Sequence, residues 1–347
     1  MKTVLRVICI TILILIIHLY GKLLVSEYIS QPSNSKKESQ LIKQKSGQKN
    51  ENITENISYL IGSEAESLLA KWGEPVRIEP SAYGYEWWVY NNEDAAQYVQ
   101  FGIENHKVVT AYVAGEEVDI APLKIGSTYD AIYKQIPFSN EVSLEIGRGS
   151  YQFELSQDEL AEQPLIPVEE DIWAQLYFDR FTQELVGVRY MDSVTLVKQR
   201  PYQLVYSGEL LDQANVSEEQ MKLIEQGNAQ QILDLTNVIR TRHQLSLLEW
   251  DQQTAEVAYG HSEDMQKNEY FSHDSPKFGA LGDRLQRGEV AFQLAGENIA
   301  AQHTDGIAAV QGWLNSEGHR ENLLNEEFTN LGVGVRDKYY TQNFIRK

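Results

Sequence analysis

Tyr270-Phe271-Ser272-His273, Gly296-Glu297-Asn298-Ile299-Ala300 and Trp313-Leu314-Asn315-Ser316-Glu317-Gly318-His319-Arg320 follow one another in the last third of the chain, and they decide its reading. Two histidines and two glutamates stand in these short words among small and aromatic residues. Imidazoles and carboxylates that converge in a cleft can bind a divalent cation, with zinc favoured by nitrogen donors, or can move protons. Spacing by itself does not gather them. His273 and His319 lie in separate words, and neither belongs to an H-E-x-x-H helix, where ligands one turn apart signal a metal.

The order and wording of these segments resemble the CAP superfamily, the fold shared by cysteine-rich secretory proteins, antigen 5 and plant pathogenesis-related 1 proteins, in its cysteine-free bacterial branch. The resemblance implies an α-β-α sandwich with a central antiparallel sheet over residues 228–347. It also implies a cleft tetrad: a His after a Phe or Leu and Ser, the Glu of G-E-N, a Glu shortly after the Trp, and a His before the final strands. Carried onto this sequence, the tetrad is His273, Glu297, Glu317 and His319. His273 and His319 are then the candidate metal ligands, for zinc or another divalent cation. Glu317 lies four residues after Trp313, whereas plant members commonly place it three after, a position that here holds Ser316.

Plainer roles compete for the same residues. Glu297 and Asn298 also suit the capping of backbone amides in a turn. His261, beside an apolar helix stripe, reads as a packed or hydrogen-bonded helix histidine, and His303 with Asp305 as a helix-start loop. Ser262, Ser272 and Ser316 each lie near a His, yet no G-x-S-x-G elbow accompanies them and no Asp is placed to orient a base. No catalytic residue is assigned.

Around the three words the elements follow from periodicity. Ile232, Leu235, Val238 and Ile239 make one helix face, with Asn237 and Arg240 in an N-x-x-R word. Asp251 is placed to cap a helix whose Ala255, Ala258, Ser262 and Met265 share a face. Ile307, Val310 and Leu314 mark a third helix, and Leu331–Val335 and Tyr340–Ile345 read as strands.

Residues 58–200 read as a domain of two α+β repeats. Ile61-Gly62-Ser63 opens a helical pattern that stops at Gly73 and Pro75, and Ile125-Gly126-Ser127 opens a second before Pro137. Strands follow each: Tyr85–Tyr90, Tyr98–Ile103 and Val108–Val113, then Tyr151–Leu155, Trp173–Asp179 and Leu185–Tyr190, with turns at Asn105-His106 and Phe181-Thr182-Gln183. This arrangement resembles the CAP-associated N-terminal domain found ahead of CAP domains in some Firmicutes. Tyr85, Trp87, Trp88 and Tyr90 read as core rather than as a ligand platform. Residues 201–227 read as a connector, and each half is expected to fold around its own core. The fold class is thus α+β throughout.

The chain begins with Lys2 and Arg6, an apolar run from Val7 to Tyr20, and Lys22. A basic start before such a run directs export with the N-terminus in the cytoplasm. No A-x-A cleavage word follows, so residues 1–26 read as a retained signal anchor; cleavage and secretion is the alternative. Residues 27–57 are polar and read as a disordered tether, in which the Asn52 and Asn56 sequons are chance matches. Cys9, in the apolar run, is the only cysteine, so the folded part forms no disulfide. Among 347 residues, 42% hydrophobic and 10% aromatic content describes two globular domains. A net charge of -20 without basic clusters speaks against nucleic acid as a partner.

These readings converge on a membrane-tethered protein, its domains outside the cell, that binds a cell-envelope ligand (lipid, glycan or peptide) through the CAP cleft. The rivals are a metal-assisted hydrolase or peptidase acting on envelope polymers, and a structural protein that docks a partner through its N-terminal repeat.

Overall fold

The computed structural model describes residues 56–90, 95–213 and 215–347; the signal anchor and nearly all of the tether lie outside the described residues. The N-terminal half runs α1 (Ala65–Trp72), β1 (Arg77–Pro80), β2 (Glu86–Tyr90), β3 (Val99–Glu104), β4 (Lys107–Val113), α2 (Tyr129–Tyr133), β5 (Glu141–Ile146), β6 (Gly149–Glu154), α3 (Gln157–Glu162), β7 (Leu165–Glu169), β8 (Ile172–Asp179), β9 (Glu184–Asp192), α4 (Ser193–Gln199) and β10 (Gln203–Ser207). Seven of these strands form one antiparallel sheet in the order β1-β2-β3-β4-β9-β8-β7, and β10-β6-β5 form a second. Asn56 already belongs to this body. It is buried, and its side-chain oxygen accepts from the Ser58 amide (3.0 Å) and hydroxyl (2.9 Å).

The two Ile-Gly-Ser words are built alike. Gly62 and Gly126 take φ of 85° and 84°, a region open to glycine. Gly62 N–H donates to Val108 O (2.7 Å) and Val108 N–H to Ser63 O (3.0 Å); Gly126 N–H donates to Leu185 O (2.8 Å) and Leu185 N–H to Ser127 O (2.9 Å). Each word thereby fastens a short helix to the strand after a hairpin turn. The aromatics of β2 and its approach are core: Tyr85, Trp87 and Tyr90 are buried.

Residues 201–227 are more than a connector. β10 pairs with β6, and α5 (Glu218–Arg242) begins there on a Ser217/Gln220 capping box. Both escaped the apolar pattern because β10 is a largely exposed edge and the first turns of α5 face water.

After α5 come β11 (Glu249–Trp250), α6 (Gln252–Lys267), α7 (Leu281–Arg287), β12 (Leu294–Ala301), α8 (Gly306–Leu314), α9 (Glu317–Leu323), β13 (Asn330–Arg336) and β14 (Tyr339–Arg346). The sheet order is β11-β13-β14-β12, antiparallel apart from the short parallel pair β11–β13. Helices α5, α8 and α9 pack on one side and α6 and α7 on the other. Helix α6 lies so close to β13 that a Cβ on Gly334 would meet the Tyr259 amide nitrogen at 1.9 Å. Asp251 caps α6 through the Thr254 amide (2.8 Å).

The halves share a core at their seam, beside smaller clusters that each keeps to itself. One cluster of buried residues joins Tyr85, Trp87 and Tyr112 to Ile232, Trp313 and Phe344. Polar contacts cross with it: Arg189 pairs with Asp305 at 2.8 Å, fully buried, and Gln311 donates to the Tyr112 hydroxyl (3.0 Å). Helix α5 is the hinge of this arrangement because it is buried on two faces. Thr236 accepts from Gln342 of the CAP sheet (2.9 Å), while Gln231 donates to Glu79 (2.8 Å) and Arg242 to Val186 O (2.9 Å) of the N-terminal half.

Where α5 meets β1, one guanidinium serves two buried carboxylates. Arg77 Nε donates to Glu79 Oε1 (2.7 Å) and its Nη2 to Asp234. Burial pushes the Asp234 carboxyl up to about 6; Arg77 opposes the shift and Glu79 adds to it. Between the ordinary value near ~3.9 and about 6 the folded state therefore holds more protons than the unfolded one, so stability rises as pH falls through that window. Asp234→Asn is expected to raise the denaturation midpoint at pH 7.5 and to flatten the gain between pH 7 and 5, which amounts to roughly 1 kcal/mol. Superimposable pH profiles for wild type and variant, measured by urea unfolding, would contradict this.

Candidate functional site

The loop after α6 carries His273, and five contacts fix it. Asp264, in the last turn of α6, accepts from the Tyr270 hydroxyl (2.5 Å) and the Ser275 hydroxyl (2.7 Å). Burial pushes the Asp264 carboxyl up, but these two hydrogen bonds outweigh it and the group sits below the usual carboxylate range. His261 Nε2 lies 3.0 Å from the Ser272 carbonyl, which can only accept, so that nitrogen carries the proton and donates. Burial holds His261 below the imidazole range, in its neutral form. Arg284, reaching up from α7, donates Nη1 to the carbonyls of His273 (2.7 Å) and Gly279 (2.9 Å).

The Gly-Glu-Asn word lies in strand β12, not in a turn. Successive side chains of a strand point to opposite faces, and both are used here. Glu297 points to the α6–α7 side, where Oε1 meets His273 Nδ1 (2.9 Å) and Oε2 meets Arg284 Nη2 (2.5 Å). Asn298 points to the other side, donating to His319 O (3.1 Å) and accepting from Asn322 (2.9 Å). Asn322 also donates to Glu297 O (3.1 Å), tying α9 to the open edge of β12. A Cβ on Gly296 would meet Asn322 Oδ1 at 2.7 Å and a Phe328 ring atom at 2.8 Å, so this close seating requires glycine.

His319 stands on α9. Its Nδ1 is 2.9 Å from the Ser316 hydroxyl, one helical turn away, and its ring centre is 6.5 Å from that of His273, the planes inclined by 40°. The two imidazoles are tuned apart. The hydrogen bond with Glu297 raises His273, against burial, while burial and then the charge of His273 lower His319. Near neutral pH the pair offers one imidazole inclined to hold a proton and one inclined to stay neutral.

The structure thus brings together His273, Glu297 and His319. It does not bring Glu317 to them: that side chain is exposed and has no hydrogen bond or ion pair in the structure. Side chains two apart on a helix do not share a face, whereas Ser316, three before His319, does. Arg284, Asp264 and His261 were not legible as site residues, since each acts through contacts distant in sequence. Of the three serines near a His, Ser316 alone meets an imidazole; the Ser262 hydroxyl donates to Gly334 O (2.9 Å) and the Ser272 hydroxyl accepts from Asp274 N (3.1 Å).

For a metal, the donor set is small. Both Glu297 oxygens are engaged, by His273 and Arg284, so the carboxylate orients an imidazole from behind rather than offering itself as a ligand. Each Nδ1 is also engaged, which leaves the Nε2 atoms of His273 and His319 as the nitrogens that would hold a cation. Among the described residues no group of three or more His, Cys, Asp or Glu is arranged to hold a metal.

This sandwich, with two histidine rings 6.5 Å apart beside a Gly-Glu-Asn strand, defines a CAP domain behind a CAP-associated domain, and the chain belongs to that family. The CAP-associated N-terminal family model matches residues 61–202, and the cysteine-rich secretory protein family model matches residues 233–345. The chain is 49% identical over 318 residues to "Uncharacterized membrane protein YlbC" of Bacillus subtilis (strain 168), covering 92% of this chain and 90% of that protein. It is similar to the crystal structure of an extracellular protein containing an SCP domain from Bacillus anthracis, with a TM-score of 0.82 and 68% identity over 86% of this chain and 97% of that one. A cysteine-rich secretory protein from Staphylococcus aureus has a TM-score of 0.76 at 26% identity, over 85% and 94% of the two chains.

Arg284→Met should test how the loop is held. It strips a buried carboxylate of its cation and two carbonyls of their donor, so a loss on the order of 3–5 kcal/mol is expected in urea unfolding. A loss under about 1 kcal/mol would show that Glu297 and the loop do not depend on Arg284.

Proposed function

We propose that the protein is exported, stays tethered to the membrane by its N-terminal segment, and binds a cell-envelope ligand in the cleft between His273 and His319. The observation that carries this reading is the placing of the imidazole pair, whose ring centres lie 6.5 Å apart. His273 is 56% exposed while its partner Glu297 is 3% exposed, so the carboxylate works from behind and the ring meets solvent. An exposed imidazole backed by a carboxylate that favours its protonated form suits an acceptor group such as a phosphate, carboxylate or carbonyl. Lipids, glycans and peptides of an envelope all carry one. Phe271, 54% exposed just before His273, adds apolar surface for the rest of such a ligand.

The relatives support the location. One is named a membrane protein and another is described as extracellular. No helix among the described residues is long and apolar enough to cross a membrane, so the anchor is assigned to the apolar run near the N-terminus. The hydrolase reading draws less support, because it needs Glu297 or Glu317 as base or ligand and the first is committed while the second stands apart. The docking reading draws less too, since Tyr85 and Trp87 are consumed by the shared core.

The test is co-sedimentation with three probes: isolated wall glycan, phosphatidylglycerol vesicles, and immobilised wall-stem peptide. One probe should bind the protein, and His273→Ala or His319→Ala should each weaken that binding about tenfold, the scale of a charged hydrogen bond. His106→Ala, in an exposed hairpin turn, should not. Zinc titrated into the same proteins should need both cleft histidines and weaken as pH falls, with His273 protonating above ~6.5. Indifference of all three probes to both cleft variants would defeat the binding reading. Equal zinc uptake by wild type and both cleft variants would remove the metal and leave hydrogen bonding as the role of the imidazoles.

A further inference from the structure

Helix α9 carries His319, and the residues on either side of the Ser316–His319 pair are gripped from the N-terminal half. Just before Ser316, the Asn315 amide donates to Phe178 O (2.9 Å) and its oxygen accepts from Arg180 N–H (3.0 Å). Just after His319, Arg320 pairs with Asp179 at 2.8 Å. All of these partners belong to the end of β8 and its turn. The Asp179 carboxylate does two tasks: one oxygen accepts from the Phe181 amide (2.9 Å) and shapes the turn, and the other holds Arg320. The Phe181 ring lies 4.9 Å from the Arg320 guanidinium carbon and covers it from the solvent side.

We infer that the N-terminal domain is a positioning part of the CAP cleft, its β8–β9 turn setting the placement of α9 and so of His319. Loop-borne His273 is placed wholly by CAP residues, through Glu297, Arg284, His261 and Asp264. Its counterpart is not. The CAP sheet holds α9 on one side, through Asn298, which donates to His319 O, and Glu297 O, which accepts from Asn322; the hairpin supplies another hold, through a pair in which Asp179 is 2% and Arg320 13% exposed. A seven-residue helix has too few internal hydrogen bonds to be stable by itself, so such outside contacts decide where it sits. A change in how the two halves meet would move one wall of the cleft against the other. This inference rests on the cleft being the binding site.

The experiment uses the full-length protein with three substitutions. Asp179→Asn removes the negative charge that faces Arg320 while keeping an oxygen for the turn amides; Phe181→Ala removes only the exposed ring; Tyr83→Phe breaks a different bond between the halves, to Thr304 O (2.8 Å), far from α9 in sequence. Hydrogen–deuterium exchange of amides 317–323 and the carbon-bound proton signals of the His319 and His273 rings are compared with wild type. Asp179→Asn should speed exchange in 317–323 about tenfold and shift the His319 signal alone, with a smaller effect of the same kind from Phe181→Ala and none from Tyr83→Phe. Unchanged exchange and an unmoved His319 signal in Asp179→Asn would overturn the inference, as would equal disturbance by Tyr83→Phe. If Asp179→Asn does not fold, Phe181→Ala decides by the same two readings. Loosening of 317–323 together with no cleft-dependent binding by wild type would uphold the clamp and defeat the binding reading alone.

Discussion

A carboxylate shut away from water has to be answered by charge or hydrogen bonds, and Glu297 is answered by both. Arg284 takes one oxygen and His273 the other. Because the same guanidinium holds the carbonyls of His273 and Gly279, it secures the carboxylate and the loop that the carboxylate serves. Strand alternation then gives Asn298 to the opposite wall, where it holds the backbone of His319. One dipeptide in β12 therefore spaces two imidazoles that belong to different loops and helices. The site is held chiefly by hydrogen bonds between separate elements of the CAP half.

The same economy governs the two halves. A CAP domain that forms no disulfide lacks the cross-links that stiffen small secreted folds. Here α5 lies between two sheets and the aromatic residues of the N-terminal half run on into the core of the CAP half. The buried Arg189–Asp305 pair adds specificity at that seam, since Asp305 also caps α8 through the Ala308 amide (3.0 Å). Either partner left alone would be a buried charge without its counter-ion, on the order of 3–5 kcal/mol of loss. The domains are thus two families in sequence and one packing unit in space.

Much of this was legible from the chain. The stripe Ala255, Ala258, Ser262 and Met265 is buried against the sheet, the Asn105-His106 turn takes positive φ at both residues, and Gly73 ends α1 at positive φ, because each is set by local periodicity or turn chemistry. The words around His273, Glu297 and His319 were legible through resemblance. What failed has physical causes. Reading Gly-Glu-Asn as a turn ignored that alternating faces let a strand use both polar residues. Helix phase sets Ser316, not Glu317, beside His319, and Glu317 is left exposed without a hydrogen bond. Separate cores were expected because a chain of this length suits two domains; Gln231, Asp234 and Arg242 of α5 instead meet partners in the other half. Arg284, Asp179 and Arg320 carry no local mark, since their meaning lies wholly in long-range contacts.

The central claim is that Glu297 sets the two cleft imidazoles apart. Titration of the histidine ring protons by NMR, in wild type and in Glu297→Gln, tests it directly. The account predicts that in wild type His273 takes its proton above ~6.5 and His319 below it, and that the glutamine variant brings His273 down toward its neighbour. A common midpoint for both rings in wild type, or a His273 midpoint unmoved by loss of the carboxylate, would contradict it.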